Sequence, residues 1–164
     1  AEWHDRGKDR TIWQRFANNL KKDLILAKSN KYYNWQILEG YRHEFGSLID
    51  AIRSDEINNS PEKDLILHLI ASHHGWARPH FESKTFDYEG TFDSILNKRM
   101  PFTTMENENL LADVLRRFGR LQQLYGRWGL AWLESILRCA DAMASLHIPD
   151  KNIIENSANT NKTL

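Results

Sequence analysis

Apolar residues recur at intervals of three and four along most of the chain, and strand-like alternation is nearly absent. Ile12, Trp13, Phe16, Ala17, Leu20 and Leu24 predict a first amphipathic helix over about 11–28. A second helical region covers about 33–53, with Gly40 and Gly46 expected to punctuate it. Ser60, Pro61 and Glu62 then read as a helix start, with a capping hydroxyl, a proline in the first turn and an acid at the positive end of the dipole. The segment that follows, "DLILHLIASHHG", is apolar almost all round, which predicts the central buried helix, ending at Gly75. Residues 76–103 mix Gly, Pro and aromatic residues without a period, as expected of a long ordered loop, and loops of that length in a compact domain usually carry function. Thr103 or Thr104 can cap a helix of about 105–124 ending near Gly126, and a fifth covers about 128–146, stopping before Pro149. The expected fold class is an all-α bundle of about five to seven helices. One domain fills 1–148, and a polar tail, low in complexity, follows over 149–164.

Composition narrows the function. At 164 residues the chain is long enough to bury a real core. No apolar run approaches the roughly 18 residues that cross a bilayer, and the charged first twenty residues do not read as a signal peptide. The single cysteine, Cys139, lies in an apolar stretch and has no partner for an internal disulfide, which suits a reducing cytoplasm. Basic and acidic residues balance at 22 each. A protein that grips nucleic acid through its phosphates alone is usually basic overall, so nucleic acid here requires a local patch, metal ions or a partner.

The candidate chemistry lies in histidines and acids. Of the seven histidines, His73 and His74 are adjacent where the apolar helix ends, and both continue its buried face, spaced from Ile66, Leu67 and Ile70 by three, four and seven. Buried imidazoles need partners for both ring nitrogens, so the pair reads either as hydrogen-bonded core histidines or as ligands. Asp141 shares the stripe of Leu130, Leu133, Leu137, Ala140 and Ala144, and a buried aspartate implies an ion pair, for instance with Arg138, or a metal. His43 precedes an apolar helical stretch, and His4 and Asp5 open the chain. Imidazole and carboxylate without thiolate suit divalent Mn, Fe, Ni, Co or Zn. Six such ligands exceed one ion's needs, which leads to two ions sharing a carboxylate, the arrangement used to split phosphate esters. His68 reads as a core histidine, and His80 and His147 as loop or surface residues. Trp76, Phe81, Phe86 and Tyr88 either close the core beneath the long loop or stack on unpaired bases.

The ordered set "HDRGK" (4–8), "RHE" (42–44), "HHGWARP" (73–79) and "CADAMAS" (139–145) resembles the HD superfamily of metal-dependent phosphohydrolases. It is most similar to the HD nuclease domain of the CRISPR type I helicase-nuclease. The resemblance implies that Asp5 bridges two divalent metals (Mn, Fe, Ni or Co, with Mg or Zn as further options), His4 and Asp141 holding one and His43, His73 and His74 the other. It implies a cytoplasmic endonuclease acting on single-stranded DNA, partnered by a helicase on the same or a separate chain and by the CRISPR surveillance complex, with no membrane. Lys8 is a candidate for the catalytic phosphate contact, and Arg78 and Ser145 for substrate binding; a solvated lysine, a surface salt bridge and simple packing are their respective alternatives. The family's further histidine upstream of the HD pair has no counterpart among the three residues before His4, so a domain cut from a longer chain, its upstream helix missing, is expected. A phosphohydrolase acting on nucleotides or small phosphate esters, and a non-catalytic helical interaction module, are the alternative functions.

Overall fold

The computed structural model describes residues 2–21, 24–28 and 33–146. Among them are five helices: α1 (Thr11–Phe16), α2 (His43–Ile52), α3 (Asp55–Asn58), α4 (Lys63–Ser72) and α5 (Thr104–Leu146). Two 3-10 turns, Arg6–Asp9 and Trp35–Leu38, precede α1 and α2. The fold is thus mostly helical, as the periodicity predicts. One unexpected feature interrupts the long loop: an antiparallel hairpin of β1 (Thr91–Asp93) and β2 (Lys98–Met100), with Thr91 opposite Met100, Phe92 opposite Arg99 and Asp93 opposite Lys98. The Asp93 carboxylate accepts from the amides of Ile95 and Leu96, and Asn97 takes a left-handed φ of 49° to close the turn.

Three expectations need correction. The first helix ends at Phe16 instead of about 28, because Asn18 adopts a left-handed φ of 54°, and Leu20, Leu24 and Ile25 are left exposed. Gly46 lies inside α2 rather than breaking it. The central helix is α2, not α4: every residue from His43 to Ala51 is buried, whereas α4 buries five of its ten. Helix α4 also starts two residues after Pro61, with the Ser60 hydroxyl accepting from the Glu62 amide. The predicted break at Gly126 is present (φ 68°, ψ 168°) and divides α5 into two helical halves. Its start is a capping box: the Glu106 amide donates to Thr103 Oγ1 while the Glu106 carboxylate accepts from the Thr103 amide.

The main core joins Phe45, Leu48 and Ile49 of α2, Leu67, Ile70 and Ala71 of α4, Phe81 and Phe102 of the long loop, and Leu110 and Val114 of α5. A smaller cluster of Phe16, Leu38 and Tyr41 closes the opposite side of α2. Burying α2 on all sides requires its polar groups to be matched, and Arg10 answers Asp50 and the Gly46 carbonyl among them. Fully buried, it donates to Asp50, Asp87, Asp9 and the Gly46 carbonyl at 2.7–3.1 Å. No described helix is long and apolar enough to cross a membrane. The segment 149–164 and His147 lie outside the described residues.

Candidate metal centre

The opening motif folds back onto α2 because two glycines let it approach. A side chain at Gly7 would overlap the His43 carbonyl, and one at Gly46 would overlap the Tyr41 hydroxyl. Three hydrogen bonds then hold the turn. Ser47 Oγ accepts from the Gly7 amide at 2.8 Å and donates to the His4 carbonyl at 2.7 Å, and the Tyr41 hydroxyl donates to the Gly7 carbonyl at 2.7 Å. Asp5 is thereby fixed opposite His43, at the start of α2, and against His73 and His74, in the turn that ends α4.

Ligand atoms of Asp5, His43, His73 and His74 all lie within 4.8 Å of one another. Nε2 of His43 is 3.3 Å from Nε2 of His73 and 3.4 Å from Oδ1 of Asp5. The protons identify these groups as acceptors. His73 Nδ1 is 2.7 Å from the Ile70 carbonyl, which can only accept, so the proton sits on Nδ1 and Nε2 presents a lone pair. Burial, reinforced by the surrounding histidines and opposed by the Ile70 hydrogen bond, pushes His73 down to about 3, so its ring is neutral near pH 7. The buried Glu44 carboxylate lies 3.4 Å from Nδ1 of His43 and favours a proton there, which turns the second Nε2 lone pair inward as well. Oδ1 of Asp5 is buried without a hydrogen-bond partner. Burial by itself would raise the Asp5 carboxyl, but the Lys8 ammonium 2.8 Å from its Oδ2 opposes this and holds the group well below the usual carboxylate range. Two imidazole lone pairs and an anionic oxygen converging on one point repel unless a cation sits between them. This nitrogen and oxygen donor set fits a divalent transition metal.

The remaining predicted residues fall around this cluster. His4 Nε2 is 3.2 Å from Asp141 Oδ1 and 3.6 Å from Asp5 Oδ2, so Asp141 pairs with His4 and not with Arg138. The nearly buried Lys8 reaches the same Oδ2 at 2.8 Å. The structure therefore brings His4, Asp5, Lys8, His43, His73, His74 and Asp141 together, with Asp5 in the middle. His74 is exposed rather than on a buried face, since α4 ends at Ser72 and the following turn leaves helical register. Arg78 binds Glu134 at 2.9 Å, which realises its salt-bridge alternative, and the Ser145 hydroxyl accepts from Lys28 at 3.2 Å. His68 is a core histidine, 2.6 Å from Glu134. Cys139 is exposed. Of the loop aromatics, Phe81 is buried, Trp76 carries the Arg42 guanidinium 3.9 Å above its ring, and Tyr88 is exposed.

No family model, curated protein or solved structure matches the chain.

Several positioning residues escaped the sequence reading. Tyr41, Ser47 and Glu44 read there as ordinary members of the second helical region, and Trp13, packed 4.6 Å from the His43 ring, as part of an apolar stripe. One signal was available: Gly7 pairs with Gly46 and Ser47, small residues three and four positions beyond His43, where two backbones can meet.

Proposed function

We propose that the chain is a metal-dependent hydrolase of the HD type that cuts single-stranded DNA in CRISPR type I interference, together with a helicase and the surveillance complex. The observation that carries the hydrolase reading is the convergence of the His43 and His73 Nε2 lone pairs on the unpartnered Oδ1 of Asp5. The DNA substrate and the partners come from the motif resemblance. In this reading Asp5, His43, His73 and His74 would hold one ion, and Asp5 with His4 and Asp141 would hold a second. When bound, such ions polarise a phosphate and make a water nucleophilic near neutral pH.

The chain's own residues position and neutralise. Asp5 turns one oxygen toward the histidines and the other toward His4 and Lys8, so a single carboxylate orients both halves. The Ile70 carbonyl fixes the His73 tautomer, and the Glu44 carboxylate near Nδ1 of His43 favours the matching one there. Lys8 adds a positive charge beside the phosphate. Zero net charge and a site at helix ends favour a flexible strand that lowers one phosphate into the centre over an intact duplex.

The test combines elemental analysis with cleavage of circular single-stranded DNA in Mn²⁺, Ni²⁺ or Co²⁺, with EDTA as control. We expect metal to be retained chiefly by Asp5, His43, His73 and His74, and the circle to be opened. A circle intact with every metal, alongside hydrolysis of a free or cyclic nucleotide, replaces this reading with a small-molecule phosphohydrolase. Tightly held metal without hydrolysis of any substrate replaces it with a structural site.

A further inference from the structure

A cleft of about 480 Å³ opens between the end of α4 and the second half of α5. Its walls include Ser72, Arg78, Glu134, Arg138 and Cys139, none of them a metal-ligand candidate. Ser72 is 1% exposed, yet its hydroxyl has no hydrogen-bond partner. A buried hydroxyl left unmatched in the wall of a cleft points to a ligand that would match it. Glu134 is already shared by His68 and Arg78. Arg138, exposed, lines the cleft and makes no ion pair or hydrogen bond among the described residues. The two arginines outnumber the single carboxylate, and the cleft carries a net positive charge. It also adjoins the metal centre. Ser72 precedes His73, and Arg138 lies one helical turn before Asp141, a spacing that sets their Cβ atoms about 5–6 Å apart.

We propose that this cleft is a phosphate subsite, holding the phosphate adjacent to the one attacked at the metal centre. The inference rests on the hydrolase reading above and deepens it: the preferred substrate carries at least two phosphodiester groups, as a nucleic-acid strand does and a phosphomonoester does not. Arg138 and the Ser72 hydroxyl donate to the phosphate oxygens, and Arg78, its side chain 42% exposed, guards the mouth.

Two measurements test it. The first is calorimetric titration of the metal-free protein with inorganic phosphate and pyrophosphate. The second is steady-state cleavage of single-stranded DNA with metal present. Arg138→Glu should weaken phosphate binding about tenfold or more and raise KM for DNA by a similar factor with kcat and metal content unchanged. Ser72→Ala should act in the same direction more weakly. Arg127→Glu, exposed on the same helix outside the cleft, should leave phosphate binding, KM, kcat and metal content at wild-type values and so control for general electrostatics. Wild-type phosphate affinity and KM in Arg138→Glu would overturn the subsite while leaving the hydrolase reading intact. Arg138-dependent phosphate binding without cleavage of any substrate would overturn the hydrolase reading and leave the anion site standing.

Discussion

His68 and His73 stand five residues apart on α4 and its closing turn, both buried to within 2% exposure, and their surroundings differ in one respect. Around His68 the polar groups close on themselves. Nε2 lies 2.6 Å from one oxygen of Glu134, and the other oxygen takes Arg78. Around His73 the groups do not close. Nδ1 is committed to the Ile70 carbonyl, and Nε2 faces another lone pair and a carboxylate oxygen with no donor. Residue type and burial are the same in both places. Counting donors against acceptors separates a structural histidine from a candidate ligand, because a buried acceptor without a donor favours a cation.

Substitutions on each side should make the contrast measurable. Asp5→Ala should have the largest effect, reducing metal content and cleavage to the level of a chelated control while the far-ultraviolet circular dichroism stays that of the wild type. Cleavage at the wild-type rate would show that the cluster does not turn on this carboxylate. His68→Leu should do the reverse. Losing the buried His68–Glu134 hydrogen bond should cost about 1–3 kcal/mol of stability, read from urea unfolding, while metal content stays at the wild-type value. Loss of metal there would erase the distinction between closed and open clusters. Glu44→Gln should weaken metal affinity by about 10–100-fold with little change in fold, as expected for an outer carboxylate that orients a ligating imidazole; unchanged affinity would remove Glu44 from the site.

The smallest effect concerns pH. His73 is pushed from 6.5 in the unfolded chain down to about 3 in the folded one, chiefly by burial. Between those values the unfolded chain takes up a proton that the folded one refuses, so the stability of the metal-free protein should fall as pH drops from about 6.5 toward 3. Urea midpoints at successive pH values would record the slope, and His73→Asn should flatten it. An equal slope in that variant would mean that other groups carry the dependence.

The sequence made the candidate ligands legible and the scaffold only partly so. His73, His74 and Asp141 stand out because imidazoles and carboxylates are rare on apolar stripes, and the motif resemblance adds His4, Asp5 and His43 to them. The break at Gly126 and the cap at Thr103 are local, and local signals survive folding. What failed was tertiary. Leu20 and Leu24 keep helical spacing yet are exposed, since spacing cannot reveal that Asn18 turns the chain aside. Polar positions of α2 such as Ser47 and Asp50 are buried because the 4–8 turn and Arg10 answer them, and a hydrophobic pattern scores such residues as solvent-facing. The hairpin strands, three residues each, are too short to show alternation.

The contact between His4 and Asp141 spans 137 positions of sequence. A centre assembled from residues so far apart exists only when the chain has closed on itself, so an ion bound there acts as a clasp. Its binding free energy becomes folding free energy, roughly 2.7 kcal/mol when the free metal exceeds its dissociation constant a hundredfold. Chelation should therefore lower the melting temperature as well as activity. A cut anywhere in the long loop between α4 and α5 would turn closure into an encounter between two pieces, and the ion would become the fastener that keeps them together.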